Sequence, residues 1–377
     1  MKNVLLVNYT KFPDGDAGGI RVLSFAKAIQ RLGYNVRVLT SGKERNMNGL
    51  YQGINYSSLR LINRYFNRIF FIPRVIRELL KIQSSININY IIGYGSNALL
   101  VLILKFYCSY RGIVFICDVV EWYSKEQFAN YPLSLSYWVK DIQNRFILSK
   151  GVRIIAISKY LENYYINKGC HVVRIPIFFE EKLVCLNKSN PQKIVIFYAG
   201  SPGKKDYLYT MLEGIALLSA DNLEKISFII AGVDVNTIKD NISDLCYNKI
   251  VDSLIIKGRI NRDSVIDLYK TVNFSVLLRD PCLRVSKAGF PSKVVESMIN
   301  GIPMICNLSS DLGDYLINNE NSLIVDGFSA QEFAKTLNIA INLSSEELNR
   351  ISKNAHRLTI NHFNLDSHKT QFKNILS

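Results

Sequence analysis

Cysteine pairs, long apolar runs and, in one half of the chain, acidic residues are what this 377-residue sequence is short of. The seven cysteines are odd in number, scattered from Cys108 to Cys306, and form no CxxC pair; no histidine stands at ligand spacing from them. That excludes a disulfide framework, argues against a structural zinc and fits a reducing compartment. The best apolar run is the stretch 98–104, closed by Lys105, whereas a membrane-spanning helix needs about 20 residues. A longer stretch, 91–108, is interrupted by Gly93, Gly95, Ser96 and Asn97. The opening residues 1–8 carry too short an apolar run for a signal peptide, and no small-residue cleavage site follows. A cytoplasmic protein, soluble or peripheral, is the expectation.

Acidic residues are sparse in residues 1–188, which hold 11 Asp+Glu against 26 Lys+Arg. Residues 189–377 hold 20 of each, so the whole formal charge of +15 sits in the first half. Such asymmetry implies an anionic partner: a phospholipid surface, a nucleic acid or a phosphorylated ligand. No nucleic-acid-binding module is recognisable, so nucleic acid is not expected.

What the chain does have is alternation. At 377 residues it exceeds what one core usually organises, and two domains are expected. A strand at 4–9, a glycine-rich loop, a helix at 20–32 and a strand at 36–40 make a βαβ unit, which favours a parallel sheet. Further strands are expected at 90–92, 113–117, 154–157 and 172–175. The polar segment 187–192, with Pro191, is the boundary between domains 1–188 and 189–361, and a helix at about 362–377 packs back on the first. Beyond the boundary, strands at 194–198, 227–231, 254–257, 274–278, 303–306 and 323–325 alternate with helical patterns. The fold class is α/β: two Rossmann-like, doubly wound parallel-sheet domains facing across a cleft, with ligands expected at the carboxyl ends of the strands.

Four motifs lie in loops that follow strands. The first, Asp14-Gly15-Asp16-Ala17-Gly18-Gly19-Ile20-Arg21, lets backbone approach a ligand at a helix N-terminus, or is simply a flexible turn. It is not GxGxxG, which argues against a dinucleotide. Its Asp14 and Asp16 could bind a divalent metal, though such triplets commonly stabilise turns, and no metal is expected. The second, Asp118-Val119-Val120-Glu121-Trp122, offers carboxylates for sugar hydroxyls and an aromatic face, or a cap for the next helix. The third runs from Phe197 through Gly200-Ser201-Pro202-Gly203-Lys204-Lys205-Asp206, a phosphate cradle without P-loop spacing, or an exposed turn. The fourth is Leu278-Arg279-Asp280 followed by Gly289-Phe290-Pro291-Ser292-Lys293-Val294-Val295-Glu296. Here Pro291 suits a first helical turn, Ser292 and Lys293 sit at its positive end, and Glu296 can accept two hydroxyls of a ribose diol.

These motifs, in this order, resemble glycosyltransferase family 4, whose members are retaining enzymes of the GT-B fold. The resemblance covers nearly the whole chain. It implies a nucleotide-sugar donor held by the C-terminal domain, with Lys205, Arg279 or Lys293 on the diphosphate and Glu296 on the ribose. Gly200, Ser201, Lys204 and Ser292 would complete the phosphate loop, and Gly258-Arg259 would meet the nucleobase. Gly18 and Gly19 would face the phosphates and acceptor, with Arg21, Asp118, Glu121 and Trp122 on the acceptor side. Ala288 stands where the family commonly has a first glutamate, and Ser201 where an arginine often follows the glycine. A subgroup with a PSK or PTK signature acts on surface polysaccharides, implying a lipid-linked glycan acceptor.

The segment 59–71 reads as an interfacial helix, with Arg60, Arg64 and Arg68 on one stripe beside aromatics that include Phe66 and Phe70. An anionic membrane surface, the inner face of the plasma membrane, is the expected partner. The chemistry expected is glycosyl transfer with retention, without a metal or cofactor. The alternatives are a sugar-nucleotide epimerase, an inverting transferase using Asp118 or Glu121 as base, and a non-catalytic binding partner.

Overall fold

The computed structural model describes residues 1–12, 17–42, 47–60, 64–94, 98–180 and 193–377, with the side chains of 11, 42, 47, 60 and 64–70 outside that set. The chain forms two compact units: residues 1–180 with 364–377, and residues 181–363. The polar segment 187–192 lies outside the described residues.

The first unit is built on an eight-stranded sheet. Its strands are β1 (Asn3–Lys11), β2 (Asn35–Gly42), β3 (Met47–Tyr51), β4 (Ile54–Arg60), β5 (Ile88–Tyr94), β6 (Val114–Val119), β7 (Arg153–Ala156) and β8 (His171–Arg174). The order is β3-β4-β2-β1-β5-β6-β7-β8, parallel throughout except for the β3–β4 hairpin. Helices cover the sheet, so its central strands are buried on both faces and read as continuous apolar runs such as Val4-Leu5-Leu6-Val7. Residues 364–377 belong to this unit. Phe372 and Ile375 of the helix Lys369–Ile375 are buried, the Phe372 ring meets Phe25 edge-on at 5.1 Å, and Arg153 donates to the Ile375 carbonyl.

Two departures from expectation fall in the stretch 47–71. The β3–β4 hairpin was not expected; it turns at Gln52-Gly53, both with positive φ, the geometry of a tight hairpin loop. Because β4 runs to Arg60, a helix over 59–71 does not form: the helix is Arg64–Ser85. Arg60 therefore cannot share a helical stripe with Arg64 and Arg68. Phe71 is buried, edge-on to Tyr9 at 4.5 Å. The side chains of Arg60, Arg64, Phe66, Arg68 and Phe70 lie outside the described residues. Among the described residues no helix is long and apolar enough to cross a membrane.

The second unit has a six-stranded, all-parallel sheet: β9 (Ile194–Ala199), β10 (Ile226–Ala231), β11 (Leu254–Gly258), β12 (Phe274–Leu277), β13 (Met304–Cys306) and β14 (Ser322–Ile324). The order is β11-β10-β9-β12-β13-β14. The chain winds outward from β9 to β11 and then returns to place β12 on the other side of β9. That reversal makes a switch point between the carboxyl ends of β9 and β12, the favoured ligand position in such sheets. One face packs Tyr198, Phe228, Ile230 and Phe274 against Leu212, Phe333 and Leu337 of the covering helices.

Candidate anion-binding site in the second unit

The loops after β9 and β12 meet at this switch point, tied by the Tyr207 amide donating to the Leu278 carbonyl. At their junction lies the buried carboxylate of Asp206. Its Oδ1 accepts from Arg279 Nε at 2.8 Å, and its Oδ2 accepts from Lys293 Nζ at 2.5 Å and from the Tyr198 hydroxyl at 3.0 Å. The Lys293 ammonium also sits over the Tyr198 ring, 4.0 Å from its centre. Asn307, following β13, braces Arg279 from behind: its side chain accepts from the Arg279 amide and donates to the Arg279 carbonyl. Among the described residues Asp206 is the sole hydrogen-bond partner of the guanidinium, so two of its nitrogens keep donors for a ligand.

The electrostatics favour an anion. Three cations, Lys205, Arg279 and Lys293, surround one carboxylate, an excess of two positive charges. Burial by itself would raise the Asp206 carboxyl, but Lys293 and Arg279 hold it down at about 2. Burial, with Arg279 and Lys205 nearby, lowers the Lys293 ammonium to about 8 despite the pull of Asp206. Lys293 opens the helix Ser292–Ile299, with Pro291 at its cap, so the helix N-terminus adds partial positive charge to the same place.

Glycines make the close approach possible. Gly200 has φ +137°, and a Cβ there would lie 2.8 Å from Lys293 Cε. Gly232, after β10, has φ +100°, and a Cβ there would lie 2.6 Å from the Gly200 carbonyl oxygen. The Gly232 amide donates to the Gly258 carbonyl, which links the loops after three adjacent strands. Lys205 and Ser292 are half-buried, while Ser201, Lys204 and Arg259 are exposed.

Glu296 is half-buried one turn along the same helix and faces Arg262 at 3.4 Å, four residues beyond Gly258. The structure thus brings Lys205, Arg279, Lys293, Ser292 and Gly200 together, with Glu296 toward the loop after β11. Sequence reading gave no role to Tyr198, Asp206, Gly232, Arg262 or Asn307. Only Asp206 carried a signal, as a carboxylate following two lysines. Ala288, in the helix Arg284–Ala288, is completely buried.

In the first unit the acceptor-side expectation is corrected for three residues. Arg21 and Asp118 form a buried bidentate pair, both bonds 2.8 Å, and Arg21 also donates to the carbonyls of Ile175 and Pro176. With its donors used internally, Arg21 is a structural tie. Trp122 is buried, with its indole N–H on Asp141 and its ring edge-on to Tyr164, so it offers no face to a sugar. Glu121 remains half-buried and accepts from the Tyr123 hydroxyl at 2.8 Å; burial, then Glu121, pushes the Tyr123 phenol far up. Gly18 and Gly19 form the first turn of the helix Ala17–Arg31 and not a loop, while Asp14 and Asp16 lie outside the described residues. Among the described residues no cluster of three or more His, Cys, Asp or Glu could hold a metal.

Fold and site define a doubly wound α/β protein of two units, with a cationic cluster at the carboxyl edge of the second sheet. Residues 182–358 match the family described as Glycosyl transferases group 1. Solved GT-B glycosyltransferases share the fold along essentially the whole chain. Sucrose-phosphate synthase from Thermosynechococcus elongatus superposes with a TM-score of 0.76 at 16% identity, covering 99% of this chain and 98% of that one. Anabaena Alr3699/HepE, solved with UDP-glucose, gives 0.68 at 13% identity over 100% and 99%. WaaG, a glycosyltransferase involved in lipopolysaccharide biosynthesis, gives 0.70 at 12% identity over 99% of both. No curated protein matches the sequence.

Proposed function

We propose that this protein is a retaining, family 4-like glycosyltransferase. It moves a sugar from a nucleotide-sugar donor to a lipid-linked glycan acceptor during synthesis of a cell-surface polysaccharide, at the inner face of the plasma membrane. The observation that carries the reading is the cationic cluster organised on Asp206 at the switch point, with Glu296 one helical turn away. A donor diphosphate there takes its charge neutralisation from Lys205, Arg279, Lys293 and the helix N-terminus, while Glu296 accepts the ribose hydroxyls. As the anomeric C–O bond breaks, its electron pair passes to the departing diphosphate, and the sugar becomes oxocarbenium-like. The fixed cations stabilise that developing charge without reorganising. The acceptor oxygen then bonds the anomeric carbon on the face just vacated, and its proton passes to the departing phosphate. Neither a metal nor a side-chain base is part of this scheme.

The test is a thermal-shift series with UDP, GDP, ADP, CMP and dTDP. One nucleotide should raise the melting temperature, by the equivalent of about 2.7 kcal/mol at a hundredfold excess over its Kd. Glu296→Ala should abolish the shift, and Lys205→Ala should lower turnover roughly 100-fold while Lys204→Ala does little. If no nucleotide moves the melt, the donor site is refuted and a binding role without transfer takes its place.

A further inference from the structure

The first unit contains a segment folded with its polarity reversed. The stretch 135–147 is a helix, Leu135–Ile142, continued by one wider turn. Its buried residues are Tyr137, Lys140, Asp141, Gln143 and Asn144, and its polar groups are used inward: Asp141 accepts from Trp122 and Arg145, Asn144 accepts from Tyr165. Its outward residues are Leu135, Trp138, Ile142 and Phe146, spaced by three or four positions along one stripe. Phe146 is 72% exposed and Leu135 67%. An amphipathic helix in water ordinarily points such a stripe at the core.

A second stripe lies on the neighbouring helix, Ala98–Arg111. Leu99, Phe106 and Tyr110 repeat at the helical period and are exposed, Tyr110 at 86%. Lys105 ties the two segments together, its ammonium donating to the Ile147 carbonyl and the Ser149 hydroxyl. Paired apolar stripes on adjacent helices make an exposed patch of the kind that marks an interaction surface.

Charge selects the occupant. The helix 98–111 contains no acidic residue, and the only one in 131–150, Asp141, is buried. Arg111, Arg145 and Lys150 are exposed beside the stripes. Trp138 and Tyr131 stack at 6.2 Å, with the Trp138 N–H on the Pro132 carbonyl, so the indole is held rigid at the surface. Apolar side chains edged by cations and aromatics, without exposed carboxylates, match a bilayer interface bearing anionic headgroups.

We infer that the helices 98–111 and 135–147 form the membrane-docking face of the protein, and that this face seats on anionic phospholipid. The inference rests on the proposed lipid-linked acceptor for its purpose and on the two stripes for its physics. It is a different surface from the stripe expected at Arg60, Arg64 and Arg68.

The test is co-sedimentation of the full chain with vesicles of equal parts phosphatidylcholine and phosphatidylglycerol, against phosphatidylcholine alone. Binding to the mixed vesicles should be the stronger. The chain has two tryptophans and Trp122 is buried, so a blue shift of emission on binding reports Trp138. Ile142→Ser with Phe146→Ser should weaken vesicle binding about tenfold or more, and Arg111→Gln or Lys150→Gln about fivefold each. The nucleotide-induced melt shift, measured without lipid, should survive in all of these variants. Equal vesicle binding by Ile142→Ser/Phe146→Ser and the parent overturns the proposal. So does a parent dimer that these substitutions convert to monomer in sedimentation velocity, because the face would then join two copies. Loss of the nucleotide shift in the parent refutes the glycosyltransferase reading and leaves the vesicle result standing.

Discussion

Asp206 gives the candidate site an internal counter-charge. Without it, Arg279 and Lys293 would be cations held out of water with no partner, a costly arrangement. Asp206→Asn keeps the shape and should cost about 3 kcal/mol in urea unfolding of the second unit. The Asp206 carboxyl lies at about 2, below its ordinary value, so its pairing stabilises the fold above about pH 4. That contribution is lost as the pH falls through about 2. Lys293 behaves oppositely: lowered to about 8, it holds fewer protons folded than unfolded between there and the ordinary lysine value. Taken alone, Lys293 therefore makes stability rise with pH across that interval. Binding follows the charged form, so affinity for a nucleoside diphosphate should be full well below pH 8 and decline as the pH rises through it. Calorimetric titration across pH 7 to 10 should show this decline, and Lys293→Arg should flatten it. Gly200, Lys205, Arg279, Ser292, Lys293 and Glu296 were legible as parts of local motifs, whereas Gly232, Arg262 and Asn307 stand in none. The role of Asp206 was not legible, because its two cationic partners lie 73 and 87 positions away along the chain.

Among the elements, the glycine contacts separate two cases that look alike in sequence. A methyl group at Gly200 meets the flexible end of Lys293, which can move, whereas one at Gly232 meets the backbone of Gly200, which cannot. Gly232→Ala should therefore cost about 2–3 kcal/mol and Gly200→Ala less, by equilibrium unfolding. The loss of nucleotide binding should run the other way for a given stability change, since Gly200 adjoins the Lys293 ammonium. Strands were read well because helix-covered parallel strands are uninterrupted apolar runs. The β3–β4 hairpin escaped because Asn55-Tyr56-Ser57-Ser58 has no apolar alternation, and only Gln52-Gly53 signalled a turn. The helix expected over 59–71 starts only at Arg64 for a related reason: its basic and aromatic spacing fits a helix, but Leu59 and Arg60 pair with β2 through Ser41 and Gly42. Periodicity in 135–147 shows that one face is apolar without saying which face meets the protein.

For the molecule as a whole, the two units differ in what completes them. The first needs residues 364–377: Phe372 and Ile375 fill its core, and His171 and Arg31 hold Asn374 and Asp366. Removing these residues should lower the melting of the first unit by several degrees while the nucleotide-dependent stabilisation of the second persists. Differential scanning calorimetry with and without nucleotide would resolve the two. The charge asymmetry was legible at this scale, since it needs only counting; the exposed apolar stripes were not, since they depend on which side chains face outward.

The second unit is thus an insertion within the first, entered near residue 180 and left near residue 363. During synthesis the eight strands of the first sheet emerge early, yet the helix that closes over Phe25 is made only after the whole second unit. The second unit can finish folding on the ribosome while the first still waits with an uncovered apolar surface. A nascent chain stalled before Lys369 should therefore recruit chaperones through its first unit, and release of the helix Lys369–Ile375 should end that association.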